Sequence, residues 1–407
     1  MEREAGFGIA TTVVPTARGS LFERMIVRAR ERGVRAFLFH PENSGLQTGD
    51  FVGRTLIEGR PGSAWVKMSF GRPDVIYENV YVHLVAGGLT RSLRRYAARN
   101  RIPLFNPVIV GKAGMSRMTS VLAQSGMRSP STRRVEGERT IRDMLDAYGA
   151  VYVKPAGGHG GNGVMRVRRR HGVHIVDCDR WGGGKGFRRE LSGRAWEHFV
   201  QRTVMARPHI VQQPIPLLTY DGGQVDFRVV VQRGSGGSWR LIGIVPKIAQ
   251  NDGVVTNIVA GGRRVTMQEM EGRLGVLRET GASRNLEKSA IAFSRRLSER
   301  YPLLAILGYD LGVDRHGNIW FIETNPKPAR SLLFPEMRRR ATDLAVDFAC
   351  YIVEKRQGVL HAAGRRVRHV NRIAVASADG ADTGELRLLR PVRHASFPQL
   401  MLRTPMG

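Results

Sequence analysis

The sequence predicts a mixed α/β protein with more than one domain. Its 407 residues exceed what one ordinary hydrophobic core holds, and a hydrophobic content of 42% is typical of a globular chain. Apolar runs with the two-residue period of strands alternate with segments that repeat at helical spacing. Because this alternation is clear in the first quarter of the chain, we expect a small α/β domain with a parallel sheet there.

The N-terminal α/β domain is predicted over residues 1–110. A helix is expected to begin after Ser20, because Ser20 and Glu23 form a capping-box pattern. The strand patterns of this domain are Phe7–Val14, Val34–Phe39 and Asp74–Val80.

Two further domains and a tail are predicted beyond it. The central domain, residues 111–205, has two strand patterns separated by glycines, so the glycines are expected in a hairpin. The third domain covers residues 206–360, and the Arg-rich residues 361–407 are expected to form a loosely ordered tail. The strand patterns of the two domains are Val151–Pro155, Val164–Arg168, His209–Ile215, Asp226–Gln232 and Trp239–Val245.

The composition limits the functional classes. The net charge is +29, but the basic residues are scattered and aromatic residues make up only 7%, which favours a solvated arginine surface over nucleic-acid binding. No run of eighteen apolar residues and no signal-peptide core is present. With only Cys178 and Cys350, neither a disulfide framework nor a zinc site is indicated, and we expect a reduced, cytoplasmic protein.

The stretch from Gly308 to Pro328 carries closely spaced polar residues. If His316 and Gly317 form a two-residue loop, Asp310 pairs with Glu323 across a hairpin. Strand alternation then places Glu323 and Asn325 on one face. Two carboxylates and an amide oxygen suit a hard cation such as Mg²⁺ or Mn²⁺. Taken alone, the same stretch also fits a surface hairpin with solvated acids.

The glycine-rich loop between the two strands of the central domain is the second candidate. No helix follows it, so it does not fit a dinucleotide-binding turn, and it lacks the Gly-Lys-Ser/Thr end of a P-loop. A flap whose backbone N–H groups cover phosphates fits better, because the ammonium of Lys154 comes directly before it. An ordinary flexible hairpin is the alternative. The loop consists of Gly157, Gly158, His159, Gly160, Gly161, Asn162 and Gly163.

Lysine is rare, with 8 residues against 56 arginines, so each lysine position is informative. Lys112, Lys154, Lys247 and Lys327 fall in or beside the segments of interest. Arg228 lies on the strand face of Asp226 and could hold a carboxylate or a phosphoryl group bidentately, with an ordinary surface arginine as the alternative. The backbone at Gln212 and Gln213 could present N–H and C=O groups to an adenine edge, with Ile215 against its face, and a plain strand end is the alternative. Asn257 adds an amide near a strand end.

Taken in order, these elements resemble the ATP-grasp superfamily over roughly residues 1–360. Phe37–Pro41, Pro73–Tyr77 and Leu104–Pro107 resemble its YheC/YheD endospore coat-associated branch. The resemblance implies an ATP-grasp fold with an N-terminal pre-ATP-grasp domain. It also implies phosphate contacts at Lys112 and Lys154, a lid at Gly157–Gly163, an adenine hinge at Gln212, Gln213 and Ile215, and Mg²⁺ ligands at Asp310, Glu323 and Asn325. Many relatives carry an acidic residue in the hinge that binds the ribose hydroxyls. This sequence departs from that pattern, and Gln213 or Asp221 would have to substitute for that residue.

The resemblance implies an ATP-dependent carboxylate–amine ligase. Lys154 and Lys247 would offset negative charge, Arg228 would orient the acceptor, and Asn257 would supply a further polar group. Small-molecule or peptide carboxylates and amines are the expected substrates, with spore-coat components as further partners and an association with the endospore coat. Two alternatives stay open: a non-catalytic nucleotide-binding protein of the spore coat, and a binder of acidic polymers or nucleic acid.

Overall fold

The computed structural model describes residues 4–13, 19–59, 62–107, 118–157, 161–250, 253–256 and 261–376, and side chains outside 58–63 as far as residue 357. Residues Met1–Lys355 form one compact unit and Arg356–Gly407 form a second. Within the first unit, most strands lie in three sheets. The predicted mixed α/β class is confirmed.

The N-terminal sheet is mixed rather than purely parallel. Its order is β4-β3-β2-β1-β5-β6, in which β1, β2, β5 and β6 are parallel while β3 and β4 are antiparallel. Neither β3 nor β4 was predicted. Most described side chains of β4 are exposed, and this strand shows no apolar alternation. The elements are β1 (Ala5–Ala10), α1 (Leu21–Glu31), β2 (Val34–Phe39), α2 (Gly45–Thr48), β3 (Val52–Gly59), β4 (Gly62–Ser69), β5 (Val75–Glu78), α3 (Val82–Ala86), α4 (Arg91–Arg99) and β6 (Leu104–Phe105).

The middle sheet is antiparallel throughout, in the order β12-β11-β10-β9-β13-β8. The glycine-rich loop joins β9 and β10, so the predicted strand–loop–strand hairpin is present. Its elements and those before it are α5 (Thr119–Gln124), β7 (Met127–Arg128), β8 (Thr132–Arg134), α6 (Glu138–Tyr148), β9 (Ala150–Pro155), β10 (Met165–Arg170), β11 (Val173–Cys178), β12 (Phe187–Leu191), α7 (Gly193–Phe199), a π-helical turn (Val200–Val204) and β13 (His209–Gln212).

The two faces of the middle sheet differ in chemistry. Val151, Val153 and Val167 point to one face and pack with Ile141 of α6 and Trp196 of α7. The register aligns a polar row on the opposite face that crosses all six strands. Helices α6 and α7 cover the apolar face, and the polar face contacts the third sheet through Tyr152, whose hydroxyl donates to Gln224 Oε1. The row consists of Thr132, Gln212, Tyr152, Arg166, Asp177 and Arg188.

The third sheet has the order β17-β16-β15-β18-β19-β7, with β14 paired to β15. Phe227 and Val229 of β15 pack against Leu286, Phe293 and Leu297 of a long helix on one face. The elements are β14 (Thr219–Tyr220), β15 (Gly223–Arg233), a 3-10 turn (Ser235–Gly237), β16 (Trp239–Ile248), β17 (Arg263–Arg264), α8 (Met267–Arg273), α9 (Val276–Glu279), α10 (Ala282–Arg300), β18 (Ile306–Val313), β19 (Ile319–Asn325), a 3-10 turn (Arg330–Leu332) and α11 (Pro335–Ala376).

The β18–β19 hairpin pairs Asp310 with Glu323 as predicted, but by a different route. The loop is not the expected two-residue turn, since Asp314 N–H donates to the Asn318 carbonyl at 3.2 Å and encloses three residues. Gly317 takes the positive φ of 76° that such a loop requires. A β-bulge between the Asp310 and Leu311 positions then shifts the register by one residue and restores the pairing.

The predicted domain boundaries are not tested by these sheets and stay predictions. β13 belongs to the middle sheet although it follows residue 205, and β7 joins the third sheet although it precedes that residue. The expectation of a loosely ordered tail over residues 361–407 also stays a prediction; of these residues the structure describes 361–376, where α11 continues to Ala376. Alanine and arginine are frequent between residues 361 and 376, and both favour helix without an apolar period.

Asp314 stabilises the turn that sets this register. One carboxylate oxygen accepts from the backbone N–H groups of His316 and Asn318, at 2.9 and 3.0 Å, and the other accepts from Trp320 Nε1 at 2.9 Å. Burial alone would raise the pKa of Asp314, but these hydrogen bonds outweigh it and lower the pKa below its ordinary value. The ionised form is therefore the stabilising one.

We predict that Asp314→Ala lowers the free energy of unfolding by about 2 kcal/mol at pH 7, because several donors lose a charged acceptor. A depressed folded-state pKa gives stability that is present above the unfolded pKa, so the difference should shrink as the pH falls below about 4. Urea unfolding at pH 7 and at a pH below about 4 measures this difference in the free energy of unfolding. Arg315→Ala, a change at an exposed residue, is the control. An equal loss at both pH values would contradict this role.

Candidate functional site

A cleft separates the polar face of the middle sheet from the third sheet. It encloses about 190 Å³. Tyr152 and Lys154 line it from β9, and Asp226, Lys247 and Asp310 line it from the third sheet. Gly161, Asn162, Ile215 and residues 254–256 complete its walls. The cleft therefore collects predicted residues from segments that are far apart in sequence.

Lys154 projects from the middle-sheet wall because β9 alternates, with valines in the core and Tyr152 and Lys154 facing the cleft. Its ammonium donates to Gln212 Oε1 at 2.5 Å, and Gln212 Nε2 donates to Thr132 Oγ1 at 2.8 Å. Tyr152 OH donates to Gln224 Oε1 at 3.3 Å. The side chain of Gln212 thus holds the lysine, which differs from the purely backbone role expected of the hinge.

The opposite wall carries a buried cluster of four charges. Arg228 binds Asp310 bidentately, with Nε–Oδ1 at 2.6 Å and Nη2–Oδ2 at 3.0 Å. The Lys247 ammonium lies 2.9 Å from Asp226 Oδ1 and 3.3 Å from Asp310 Oδ1. The residues pair across neighbouring strands, Asp226 with Lys247 and Arg228 with Asp310. We name these four residues the charge cluster.

The two carboxyls of the charge cluster shift in opposite directions. Burial raises the pKa of Asp226, and the nearby charge of Asp310 raises it further against the effect of Lys247. Burial would also raise the pKa of Asp310, but the attraction and hydrogen bonds of Arg228, with help from Lys247, lower it far below its ordinary value. Burial would lower the pKa of Lys247, yet its two carboxylate neighbours keep it raised. Asp310 is therefore firmly ionised.

The predicted metal ligands lie together at one end of this cluster. Asp310 faces Glu323 across the ladder, and Asn325 Nδ2 lies 3.3 Å from Glu323 Oε1. In the part of the chain that the structure describes, no three His, Cys, Asp or Glu side chains form a metal-binding group. The oxygen donors fit Mg²⁺ or Mn²⁺ in type. Because Arg228 and Lys247 already engage Asp310, the fit rests mainly on Glu323 and Asn325, and the metal assignment stays a prediction.

The other predicted residues have varied positions. Ile215 lines the cleft, while Gln213 also binds the backbone N–H of Ser131 through Oε1 at 2.9 Å. Asp221 pairs with Arg263 at 2.6 Å and does not line the cleft. Arg228 binds a protein carboxylate instead of meeting the cleft directly. Neither Gln213 nor Asp221 is thereby established as a ribose ligand.

Lys327 has a structural partner outside the cleft. Its ammonium lies 3.1 Å from Glu78 Oε2, and Arg94 binds the same carboxylate bidentately, with Nε–Oε1 and Nη2–Oε2 both at 2.7 Å. Burial lowers the pKa of Lys327 to about 8 despite the attraction of Glu78. This contact fixes the segment after Asn325 to the C-terminal end of β5.

Several predicted site residues lie outside the part of the chain that the structure describes. In addition, several residues that line the cleft or hold its walls were not predicted. Tyr152 could have been found, since it precedes Lys154 by one strand period. Thr256 and Asp179 had no such signal, because their contacts depend on how two sheets meet. The predicted residues outside the described part of the chain are Lys112, Gly158, His159, Gly160 and Asn257.

The chain belongs to the YheC/D like ATP-grasp family, whose sequence model matches residues 101–352, more than half of the chain. The predicted ATP-grasp fold is thereby confirmed. The chain is 22% identical to the endospore coat-associated protein YheD of Bacillus subtilis over 364 residues, covering 86% of this chain and 78% of YheD. It is 21% identical to YheC of the same organism over 329 residues, covering 77% of this chain and 86% of YheC.

Two solved structures show more distant similarity. The D-alanine-D-alanine ligase of Coxiella burnetii is 10% identical with a TM-score of 0.45, covering 88% of this chain and 99% of that one. A RimK domain ATP-grasp protein of Sphaerobacter thermophilus is 17% identical with a TM-score of 0.43, covering 86% and 100%. No helix among the described residues is long and apolar enough to cross a membrane.

We predict that Lys247→Met costs about 3–5 kcal/mol of stability at pH 7, because two buried carboxylates then share only Arg228. Removing the ammonium raises the pKa of Asp226 further. A carboxyl whose folded-state pKa is raised stabilises the fold when protonated and loses that contribution as the pH rises, so the cost should be smaller at pH 5.

Urea unfolding at pH 7 and pH 5 measures this effect. Lys288→Met, on the exposed side of α10, is the matched control. Adding Asp226→Asn to Lys247→Met should recover part of the loss at pH 7. If Lys247→Met is neutral, or if Asp226→Asn worsens it, the charge cluster does not stabilise the fold as described.

Proposed function

We propose that this protein is an ATP- and Mg²⁺-dependent ligase that joins a carboxylate to an amine. The observation that carries the proposal is the cleft in which Lys154 of the middle sheet faces Lys247, Asp310 and Glu323 of the third sheet. Two cationic side chains on opposite walls, with carboxylates at one end, suit a polyphosphate and its cation. Membership in an ATP-grasp family supports the same conclusion.

The proposed reaction has two steps. A carboxylate oxygen of the substrate attacks the γ-phosphorus of ATP, and the bond from this phosphorus to the oxygen that bridges it to the β-phosphate breaks. ADP departs, and the substrate is now an acylphosphate. The amine nitrogen then attacks the acyl carbon, the carbon–oxygen bond breaks, phosphate leaves, and the nitrogen loses a proton to give an amide. This chemistry depends on positioning and charge neutralisation more than on a protein base.

The residues of the chain have separate tasks in this scheme. Lys154, held by Gln212, would contact phosphate from the middle sheet, and Lys247 would offset negative charge from the third sheet. Arg228 would keep Asp310 ionised and oriented rather than contact substrate, given its bidentate bond to that carboxylate. Bound Mg²⁺, held by Glu323, Asn325 and Asp310, would supply further neutralisation of the phosphates.

The names of the two relatives favour a second candidate. Both YheD and YheC of Bacillus subtilis are called endospore coat-associated, which suits a nucleotide-binding coat protein without catalysis. Against it stands the charge cluster, because four buried charges at a cleft are costly for a scaffold that needs no reaction. A ligase that modifies a coat component would reconcile the two.

We predict that Glu323→Ala lowers the rate of Mg²⁺-dependent ADP release on the order of a hundredfold or more, because a carboxylate that would bind Mg²⁺ is removed. Circular dichroism and the melting temperature should show an intact fold. Glu299→Ala, an exposed change on α10, should keep full turnover. Preserved turnover in Glu323→Ala would contradict the metal assignment.

Substrate candidates are screened by adding amino acids and short peptides and measuring ADP release. Hydroxylamine in the assay should convert an acylphosphate into a hydroxamate, which reports the first step independently of the amine. ADP release without hydroxamate for every carboxylate would contradict the acylphosphate route. ATP binding without any ADP release would favour the non-catalytic candidate.

A further inference from the structure

A short segment of backbone spans the cleft and contacts both of its walls. We call residues 253–256 the strap. The Asp179 carboxylate, from the middle sheet, accepts hydrogen bonds through Oδ2 from the backbone N–H groups of Val254 and Val255, at 2.7 and 2.9 Å. The next residue, Thr256, donates through Oγ1 to Asp226 Oδ2 of the third sheet. The strap is therefore held from both sides by charged groups.

Asp179 comes directly after β11, the strand whose end brings its carboxylate to the strap. Asp177, two residues earlier, lies on the polar face of the middle sheet, opposite Arg166 and Arg188. Asp179 lies in the bend that directly follows β11, and its carboxylate contacts the strap there. The neighbouring residues of this loop hold the glycine-rich hairpin, since Gly163 N–H donates to the Arg180 carbonyl at 2.8 Å. One short loop thus contacts both the glycine hairpin and the strap.

The contacts continue from the strap into the charge cluster. Thr256 binds the carboxylate of Asp226, whose other oxygen lies 2.9 Å from the Lys247 ammonium. Lys247 lies 3.3 Å from Asp310. Asp226 and Lys247 are 5% and 4% exposed, so few other groups compete for them. An unbroken line of polar contacts runs from the middle sheet to the lysine that faces the cleft.

We infer that Asp179 is a positioning residue. It couples the contact between the middle sheet and the third sheet, across the cleft, to the orientation of the Lys247 side chain. Docking of the middle sheet places the Asp179 carboxylate against the strap, and the strap then places Thr256 on Asp226. Asp226 holds Lys247 toward the cleft. When the two sheets separate, the strap loses its anchor and Lys247 loses part of its orientation. This inference rests on the proposed function for its kinetic consequence but not for its structural one.

The structural consequence is tested by hydrogen exchange of the ligand-free protein, followed by mass spectrometry of peptides that contain the strap. Asp179→Ala should speed exchange at Val254 and Val255 about tenfold or more, and Asp179→Asn, which keeps an acceptor oxygen, should have a smaller effect. Thr256→Val should also speed exchange at these two amides, although it removes neither of their hydrogen bonds. Asp146→Ala removes an exposed carboxylate elsewhere in the central region and should leave the strap unchanged.

The kinetic consequence is tested by ADP release from ATP with water as the acceptor. Asp179→Ala and Thr256→Val should each lower kcat roughly tenfold while the Kd for ATP changes less than about threefold, because Lys154 and Gln212 are untouched. The double variant should fall no further than either single variant, since both break one line of contacts. Asp179→Asn should recover much of the rate.

Additive losses in the double variant, or a strap whose exchange is unchanged in Asp179→Ala or in Thr256→Val, would overturn the inference. A loss confined to the Kd for ATP would also overturn it, because that result assigns Asp179 to nucleotide binding. If the wild type neither binds nor turns over ATP, the proposed function fails, and the exchange measurements still decide whether the strap links Asp179 to Asp226.

Discussion

The bidentate bond between Arg228 and Asp310 is the interaction on which the candidate site depends. Two buried carboxylates, Asp226 and Asp310, lie near each other, and their repulsion would be severe without compensation. Arg228 neutralises one, and the Lys247 ammonium lies within ion-pair distance of both. Because each charge is buried, none can be removed without leaving another uncompensated. The cluster keeps a lysine ammonium and an ionised carboxylate facing the cleft.

The division of the middle sheet into an apolar and a polar face makes a cleft next to this cluster. Valines of β9 and β10 bury against helices, which leaves Tyr152 and Lys154 directed at the third sheet. In the described part of the chain, the hydrogen bonds that join the two sheets include those of Tyr152 with Gln224 and of Asp179 with the strap at residues 253–256. Under the proposed function, these contacts would have to open and close as nucleotide enters and leaves the cleft.

Local chemistry of the site could be predicted from sequence, whereas contacts between sheets could not. The pairing of Asp310 with Glu323 follows from polar residues at strand spacing, although the loop was one residue longer than expected and a bulge restored the register. Lys154 was recognisable from its rarity and its glycine neighbours. The contact of Asp179 with the strap could not be predicted from the sequence. The strand before it, β11, was not predicted, and a carboxylate that accepts hydrogen bonds from backbone N–H groups has no sequence pattern.

Calorimetric titration of ATP in the presence of Mg²⁺ tests the central claim most directly, which is that the cleft between these sheets binds the nucleotide. Wild-type protein is compared with Lys154→Ala and with Lys288→Ala, a change of the same type on the exposed side of α10. We expect micromolar binding by the wild type and by Lys288→Ala, and its loss in Lys154→Ala. No binding by the wild type, or equal binding by all three proteins, would contradict the account.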